Sequence, residues 1–168
     1  AACLPVIAER IDDLVDAFYR AQTSVDEIAL LIGDADTLGR LRTAQRRYIL
    51  DLFSGFYDVE YVNNRLRVGL VHKRIGVEPK LYLSATHLLK TLLAELIVRR
   101  AESRAAADAL VLALDKLLCF DVTLIVETYI RGMLSEIETE KQKSEQYVLE
   151  LEERGRQLEM LSQLDPLT

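Results

Sequence analysis

The chain has 168 residues, half of them hydrophobic and 29% charged, which fits one globular domain with a short extension. A formal net charge of −6 argues against non-specific binding of nucleic acid, and seven Gly and three Pro are too few for a β fold built on many tight turns. The two cysteines, Cys3 and Cys119, lie far apart in the sequence, which suggests a reducing compartment. No apolar run reaches about 18 residues and no basic segment opens the chain, so we expect neither a membrane span nor a signal peptide. We therefore expect a soluble, cytoplasmic protein.

Apolar residues recur at helical spacing through most of the chain. The stripe Ile7, Ile11, Leu14 and Phe18 predicts a first helix that ends near Thr23. The later predicted helices, in chain order, are Val25 to Ile32 stopped by Gly33, Asp36 to Phe53 capped by Asp34 or Asp36, Tyr57 to Ile75 stopped by Gly76, Pro79 to Arg100, and Ala105 to Leu134.

Residues 135–163 differ in composition from everything before them. They are mostly Glu, Lys, Gln and Arg, and their apolar residues fit one heptad frame that is weak at Lys141, Ser144 and Gly155. We predict a helical linker that pairs weakly as a dimeric coiled coil and spans roughly 43 Å at about 1.5 Å per residue. The frame depends on Ile130, Leu134, Ile137, Val148, Leu151 and Leu158.

The sequence carries no Gly-rich phosphate loop, no paired-cysteine metal motif and no Ser/His/Asp arrangement of recognisable spacing, so we expect no catalytic residue here. The two histidines, His72 and His87, are 15 residues apart, a spacing that does not favour a shared zinc site. His72 shares a small, apolar helix face with Val68 and Gly69. The pattern alone leaves two interpretations open for His72: a side chain that faces a cofactor, or a core histidine bonded to a carbonyl group. We expect His87 to be a surface or packing residue.

The segment from His72 to Pro79, read as His-Lys-Arg-Ile-Gly-Val-Glu-Pro and followed by Tyr82, resembles the proximal haem-binding region of bacterial globin-coupled sensors. Phe18-Tyr19-Arg20 resembles the distal tyrosine segment of that family, and Leu164-Asp165-Pro166-Leu167-Thr168 is similar to the opening of a diguanylate cyclase (GGDEF) domain. The resemblance implies an all-α, globin-like helical sandwich with a C-terminal helical, coiled-coil linker. It divides the chain into a sensor globin (1–134), a linker (135–163) and the start of a truncated cyclase domain (164–168).

The same resemblance implies a role for five residues around haem b, which would lie between the helices Asp36 to Phe53 and Tyr57 to Ile75. His72 would be the proximal iron ligand, and Tyr82 would tune its basicity from nearby. Tyr19 would donate a hydrogen bond to bound O2, and this bond would discriminate between diatomic gases because CO is a weaker acceptor. Leu41 and Ala44 would form an apolar distal wall. Because Ala44 has no hydroxyl group, we expect no second distal hydrogen bond, unless the neighbouring Thr43 takes that place.

The resemblance therefore implies a haem-based sensor of O2 or another diatomic gas that regulates a C-terminal diguanylate cyclase, a transferase that makes cyclic di-GMP from GTP. It also implies a homodimer through the last two globin helices and the linker, with no nucleic-acid or membrane partner. Relatives carry additional N-terminal residues, so we do not expect Ala1 to be the natural start. Two alternatives stay open: the globin head of an aerotaxis chemoreceptor, and a haem-free helical dimerisation module.

Overall fold

The computed structural model describes residues 3–164, and within this range every regular element is an α-helix. The all-α fold class predicted from the sequence is therefore confirmed. The described helices are α1 (Leu4–Glu9), α2 (Ile11–Gln22), α3 (Asp26–Ile32), α4 (Ala35–Leu52), α5 (Val59–Arg74), α6 (Pro79–Arg100) and α7 (Arg104–Leu164).

Local signals set most of the helix ends. Gly33 and Gly76 follow α3 and α5 with φ angles of 77° and 81°, a backbone conformation that disfavours residues with a Cβ atom. Asp34 caps α4, because its Oδ1 accepts a hydrogen bond of 2.6 Å from the backbone N–H of Thr37. Pro79 opens α6, where a missing N–H costs nothing. These ends confirm the predicted ones to within about two residues.

One helix boundary has no signal in the hydrophobic pattern. The predicted first helix is split into α1 and α2 at Arg10, whose φ and ψ angles are −110° and 11°. The Arg10 N–H bonds to the carbonyl of Ile7 at 3.2 Å, so the chain bends by a tight turn. The apolar stripe continues from Ile7 to Ile11 across this bend, which is why the pattern alone predicts one helix.

The core of the first compact unit, Ala1–Tyr129, is formed mainly by α1, α2, α4 and α6. Ile7, Ile49, Leu52 and Leu93 are completely buried in it. Burying each such side chain contributes roughly 1.5–3 kcal/mol relative to leaving it in water. This apolar layer fixes α2 and α4 against α6 and so positions the cavity described below.

Helix α6 is the one described helix that is long and apolar enough to cross a membrane by length and composition. A core helix of a water-soluble domain passes the same test. In this fold α6 contributes Leu89, Leu93 and Ile97 to the core of the first unit. These three residues pack inside the domain, while most of the apolar stretch of α6 is not buried there.

Helices α5 and α7 approach each other unusually closely at Gly69. A Cβ atom added there would lie 3.0 Å from the Cβ of Thr128, 3.1 Å from its Oγ1 and 3.3 Å from the Cα of Ile125. Gly69 is buried, so no solvent-filled space is available to relieve such a contact. The absence of a side chain at this position allows the two backbones to meet.

The second unit, Ile130–Thr168, belongs to α7 through Leu164. Its described side chains, up to residue 163, are almost all exposed to solvent. The apolar residues of the predicted heptad frame are among them, and each is between 48% and 67% exposed: Ile130, Leu134, Ile137, Val148, Leu151 and Leu158. The similarity to a cyclase opening falls on Leu164 to Thr168; Asp165 to Thr168 lie outside the described residues, as does the Leu164 side chain.

Candidate functional site

A mainly apolar cavity with about 890 Å³ of empty space, including its open mouth, lies among α2, α3, α4, α5 and α6. The cavity brings together His72, Tyr19, Leu41 and Tyr82, four of the five residues predicted around haem. The other lining residues are Phe18, Gln22, Ile28, Leu31, Ile32, Gln45, Tyr48, Val68, Ile75, Val77, Leu81, Ala85, Thr86 and Leu89.

His72 reaches the cavity from the last turn of α5. Its Nδ1 lies 2.8 Å from the carbonyl oxygen of Val68, one turn earlier in the same helix. A carbonyl only accepts hydrogen bonds, so Nδ1 carries the proton and Nε2 keeps its lone pair. Burial lowers the pKa of His72, although the bond to Val68 works in the opposite direction. The side chain therefore presents a neutral, unprotonated nitrogen, the form that ligates a metal ion.

Both interpretations left open by the sequence pattern apply to His72. It is bonded to a carbonyl group, as a core histidine would be, and it also lines the cavity. A hydrogen bond from Nδ1 to a carbonyl is the usual way in which a ligating histidine is held in orientation.

Tyr82 packs against the His72 ring. The ring centroids are 5.2 Å apart and the planes meet at 76°, an edge-to-face arrangement. Tyr82 is 9% exposed, and burial raises its pKa well above the ordinary value. Tyr82 therefore stays neutral and restricts the orientation of the imidazole ring by contact.

The loop after His72 is also held in place. The backbone N–H of Val77 bonds to the carbonyl of His72 at 3.0 Å, and the hydroxyl of Tyr129 on α7 donates to the carbonyl of Val77 at 2.8 Å. Because Ile75 and Val77 line the cavity, these bonds fix the part of its wall between α5 and α6.

Tyr19 contributes from α2. It is 8% exposed, and its ring packs edge-to-face against Phe18 with centroids 5.1 Å apart. Burial raises the pKa of Tyr19 to about 12, although the nearby Arg42 acts to lower it. Arg42 is itself paired with Asp16 at 3.3 Å. At neutral pH the phenol is therefore un-ionised and is able to donate a hydrogen bond.

The two α4 residues predicted for the distal wall, Leu41 and Ala44, lie differently in this structure. Ala44 lies on the exposed side of α4 and does not line the cavity. The α4 residues that line it are Leu41, Gln45 and Tyr48, which follow one another at spacings of four and three on one helix face. Thr43 is exposed too, and its hydroxyl donates to the carbonyl of Gly39 at 3.1 Å. Gln45, missed from the sequence, is the residue that the helical spacing from Leu41 would have indicated.

A buried polar cluster lies directly behind the α4 wall. The carboxylate of Asp121 on α7 is completely buried and accepts hydrogen bonds from Tyr48 Oη at 2.7 Å, Tyr61 Oη at 2.7 Å and Arg65 Nε at 2.9 Å. The Arg65 guanidinium is sandwiched between the rings of Tyr48 and Tyr61, at 4.0 Å and 4.1 Å. Asp121 thereby joins α4, which lines the cavity, and α5, which carries His72, to α7.

The remaining histidine does not belong to this site. His87 is exposed and lies in a separate groove between α6 and α7. Within residues 3–164 no group of three or more His, Cys, Asp or Glu side chains is arranged to hold a bare metal ion. Among the described residues that line the cavity, His72 is the one His, Cys, Asp or Glu.

This helical fold, with a histidine and a buried tyrosine on the walls of one apolar cavity, is typical of a globin domain. The chain belongs to the protoglobin family, whose sequence profile matches residues 1–135. It is 36% identical over 140 residues to the heme-based aerotactic transducer HemAT of Halobacterium salinarum, a match that covers 77% of this chain and 29% of that protein. The chain thus spans less than a third of the length of that curated relative.

Solved structures show the same fold. The globin domain of the Geobacter sulfurreducens globin-coupled sensor matches with a TM-score of 0.72 at 20% identity, over 76% of this chain and 84% of that one. The ferrous globin domain of E. coli DosC matches with a TM-score of 0.62 at 21% identity, over 78% and 87% of the two chains. The globin-like fold predicted from the sequence is confirmed, and the globin-coupled sensors of this kind bind haem and diatomic gases such as O2.

Proposed function

We propose that this chain is a haem-binding sensor domain for O2 or another diatomic gas. The observation that carries the proposal is the state of His72: it is neutral, oriented by Val68 and presents a free Nε2 in an apolar cavity that Tyr19 also lines. When bound, haem b would supply an iron that takes a histidine nitrogen and a diatomic gas as ligands. The cavity walls fit the group, because they are apolar and one side chain offers the donor that iron prefers.

Residues on two sides of the cavity have different roles in this proposal. His72 would hold the iron, and Tyr82 restricts the rotation of the imidazole ring through its edge-to-face contact. Tyr19 offers its hydroxyl proton to the gas, which favours O2 over the weaker acceptor CO. Leu41 excludes water from the same space.

The first test is the visible absorption spectrum of the purified chain, ferric and ferrous, with and without O2. We expect a strong Soret band that shifts when O2 is added and that is lost or altered in His72→Ala. His87→Ala is the matched control, because that histidine is exposed and outside the cavity. A colourless chain that also fails to take up added haemin would contradict the proposal and favour a haem-free helical dimerisation module.

The output that this sensor controls is proposed to be a C-terminal diguanylate cyclase, which joins two GTP molecules into cyclic di-GMP. The support is the similarity of Leu164 to Thr168 to the opening of such a domain. The second candidate is an aerotaxis signalling domain, favoured by the 36% identity to an aerotactic transducer. Incubating the full-length protein with GTP distinguishes the two, because the first produces cyclic di-GMP and the second does not.

We further propose that the domain works in the cytoplasm as a homodimer formed through α6, α7 and the linker. Exposed apolar residues support this surface: Val98 on α6 is 53% exposed and Leu112 on α7 is 56% exposed, and both line the groove between these helices. Val98→Glu should therefore shift the molar mass measured by light scattering from dimer to monomer. Val59→Glu, which changes an even more exposed valine on α5 (75% exposed), should leave the mass unchanged.

A further inference from the structure

His72 lies in the last turn of α5, the part of a helix that normally opens most easily. Two backbone hydrogen bonds close this helix end. The N–H of Val77 bonds to the carbonyl of His72 at 3.0 Å, and the N–H of Gly76 bonds to the carbonyl of Lys73 at 3.1 Å. With Gly76 at a φ angle of 81°, this is a Schellman motif, in which the chain beyond the helix bonds back to its last turn. Because the carbonyl that receives Val77 belongs to His72 itself, the position of His72 depends on where Val77 is held.

A small apolar cluster, separate from the main core of the first unit, holds Val77. We call it the second cluster, and its members are Val68, Val77, Tyr82, Val122, Ile125 and Tyr129. Three of the members bond to His72 or contact its ring: Val68, Val77 and Tyr82. The other three belong to α7. Helix α7 therefore supplies half of the apolar cluster that surrounds the support of His72.

Tyr129 adds a directional contact to this cluster. Its hydroxyl donates a hydrogen bond of 2.8 Å to the carbonyl of Val77, and the side chain is 5% exposed. A buried carbonyl that loses its donor is costly, so this bond is strongly favoured over an open one. Val77 is thus bonded through its N–H to His72 and through its carbonyl to Tyr129. These two bonds connect the backbone of His72 to α7 through a single residue.

We propose that Tyr129 is a positioning residue for His72, which keeps the last turn of α5 closed through Val77 and so sets the strength of the bond between His72 Nε2 and iron. This inference rests on the proposed function and assigns to the same site a residue that is not among those lining the cavity. A ligand that is held in one orientation binds a metal more strongly than one that must be ordered on binding. Fraying of the last turn would spread His72 over several positions and weaken the bond.

The test compares Tyr129→Phe, which removes the hydroxyl and keeps the ring, with the parent chain. Loss of one hydrogen bond of ordinary strength corresponds to a change of roughly two- to tenfold in an opening equilibrium. We expect hydrogen exchange at the Val77 and Gly76 amides, and transfer of haem to an excess of a haem-free acceptor globin, to become faster by about this factor. The iron–histidine stretching band of the ferrous, gas-free chain, measured by resonance Raman spectroscopy, should move to lower frequency and broaden.

Tyr61→Phe is the matched control, because Tyr61 is also 5% exposed and its hydroxyl also bonds to α7, at 2.7 Å from Asp121 Oδ1. Tyr61 is in the first turn of α5 and does not belong to the second cluster. Its acceptor is a carboxylate, so Tyr61→Phe should lower the free energy of unfolding at least as much as Tyr129→Phe. It should nevertheless leave the Val77 exchange, the haem transfer and the stretching band at the values of the parent chain. Equal shifts in both variants would indicate a general loss of stability and overturn the assignment.

Gly76→Ala perturbs the same connection from the other side, because an alanine is strained at a φ angle of 81°. It should move the stretching band in the same direction as Tyr129→Phe. Adding Tyr129→Phe to Gly76→Ala should then change the band less than Tyr129→Phe does alone, since both substitutions open one turn. Fully additive shifts would mean that the two residues act independently, which contradicts the proposed connection through Val77.

Failure of the inference and failure of the proposed function give different results. A parent chain that takes up no haem contradicts the proposed function itself. A parent chain that binds haem normally, together with a Tyr129→Phe variant whose amide exchange, haem transfer and stretching band are unchanged, contradicts this inference alone.

Discussion

Replacing Asp121 with Asn perturbs the buried cluster without changing its shape. The carboxylate is completely buried and accepts three hydrogen bonds, from Tyr48, Tyr61 and Arg65. Asn keeps one acceptor oxygen but puts an NH₂ group where the second oxygen was, so at least one donor loses its partner. The larger effect is on Arg65, which is 2% exposed and would keep a buried positive charge with no negative charge to balance it.

Removing one partner of a buried ion pair costs about 3–5 kcal/mol. That is a large part of the roughly 5–15 kcal/mol by which a domain is stable. For a domain of this size, each kcal/mol lowers the melting temperature by about 2–4 °C, so we expect a decrease of about 6–20 °C. Folding stability is thus predicted to depend strongly on one residue that does not contact the cavity itself.

The assay is urea unfolding of Asp121→Asn followed by circular dichroism, with Asp115→Asn as the matched control. Asp115 is on the same helix, but its side chain is 51% exposed and its partner Lys90 is 36% exposed, so we expect a change of about 0–1 kcal/mol. Adding Arg65→Met to Asp121→Asn should recover part of the loss, because the unbalanced charge is then gone. A loss below about 1 kcal/mol in Asp121→Asn would refute the reasoning.

Three further variants test other features. Gly69→Ala should destabilise the domain by about 1–3 kcal/mol in urea unfolding, because the added Cβ would lie 3.0 Å from the Cβ of Thr128. Gly39→Ala, where a Cβ on α4 meets no other atom, should instead raise the free energy of unfolding by up to about 1 kcal/mol. Equal effects of the two substitutions would contradict the argument. Asp34→Ala should cost about 1 kcal/mol in the same assay by removing the α4 cap. Burial raises the pKa of Tyr19 from 10.0 in the unfolded chain to about 12 in the folded domain. The unfolded chain therefore loses this proton first, and folding stability falls as the pH rises from 10.0 to about 12. Tyr19→Phe should make that loss smaller by up to about 1.4 kcal/mol per pH unit; an unchanged slope in alkaline unfolding would contradict the assigned burial.

Short-range patterns predicted most of the helices, because their signals are local. Gly33, Gly76 and Pro79 mark helix ends through backbone conformation, which depends on the residue type itself. The bend at Arg10 left no such mark, since the apolar stripe on either side continues through it.

In the candidate site, too, short sequence segments indicated some residues, whereas contacts between distant parts of the chain were not predicted. The resemblance to globin-coupled sensors indicated His72 and Tyr19, which the structure brings to one cavity. Of the two α4 residues that the resemblance assigned to the distal wall, Leu41 lines the cavity, whereas Ala44 is exposed and is not among the lining residues. The partners of Asp121 lie 56 to 73 residues away in the chain, so no spacing in the sequence predicts them.

The close approach at Gly69 determines how movement passes between two helices. Side chains between packed helices normally form a layer whose rotamers adjust, and this layer absorbs displacements of a few tenths of an ångström. At Gly69 that layer is missing, since the helix that carries His72 meets Thr128 and the Cα of Ile125 almost directly. Closely packed protein is barely compressible. A small displacement of α5 toward α7 therefore cannot be taken up between them, and must instead appear as a shift of α7 within the globin unit.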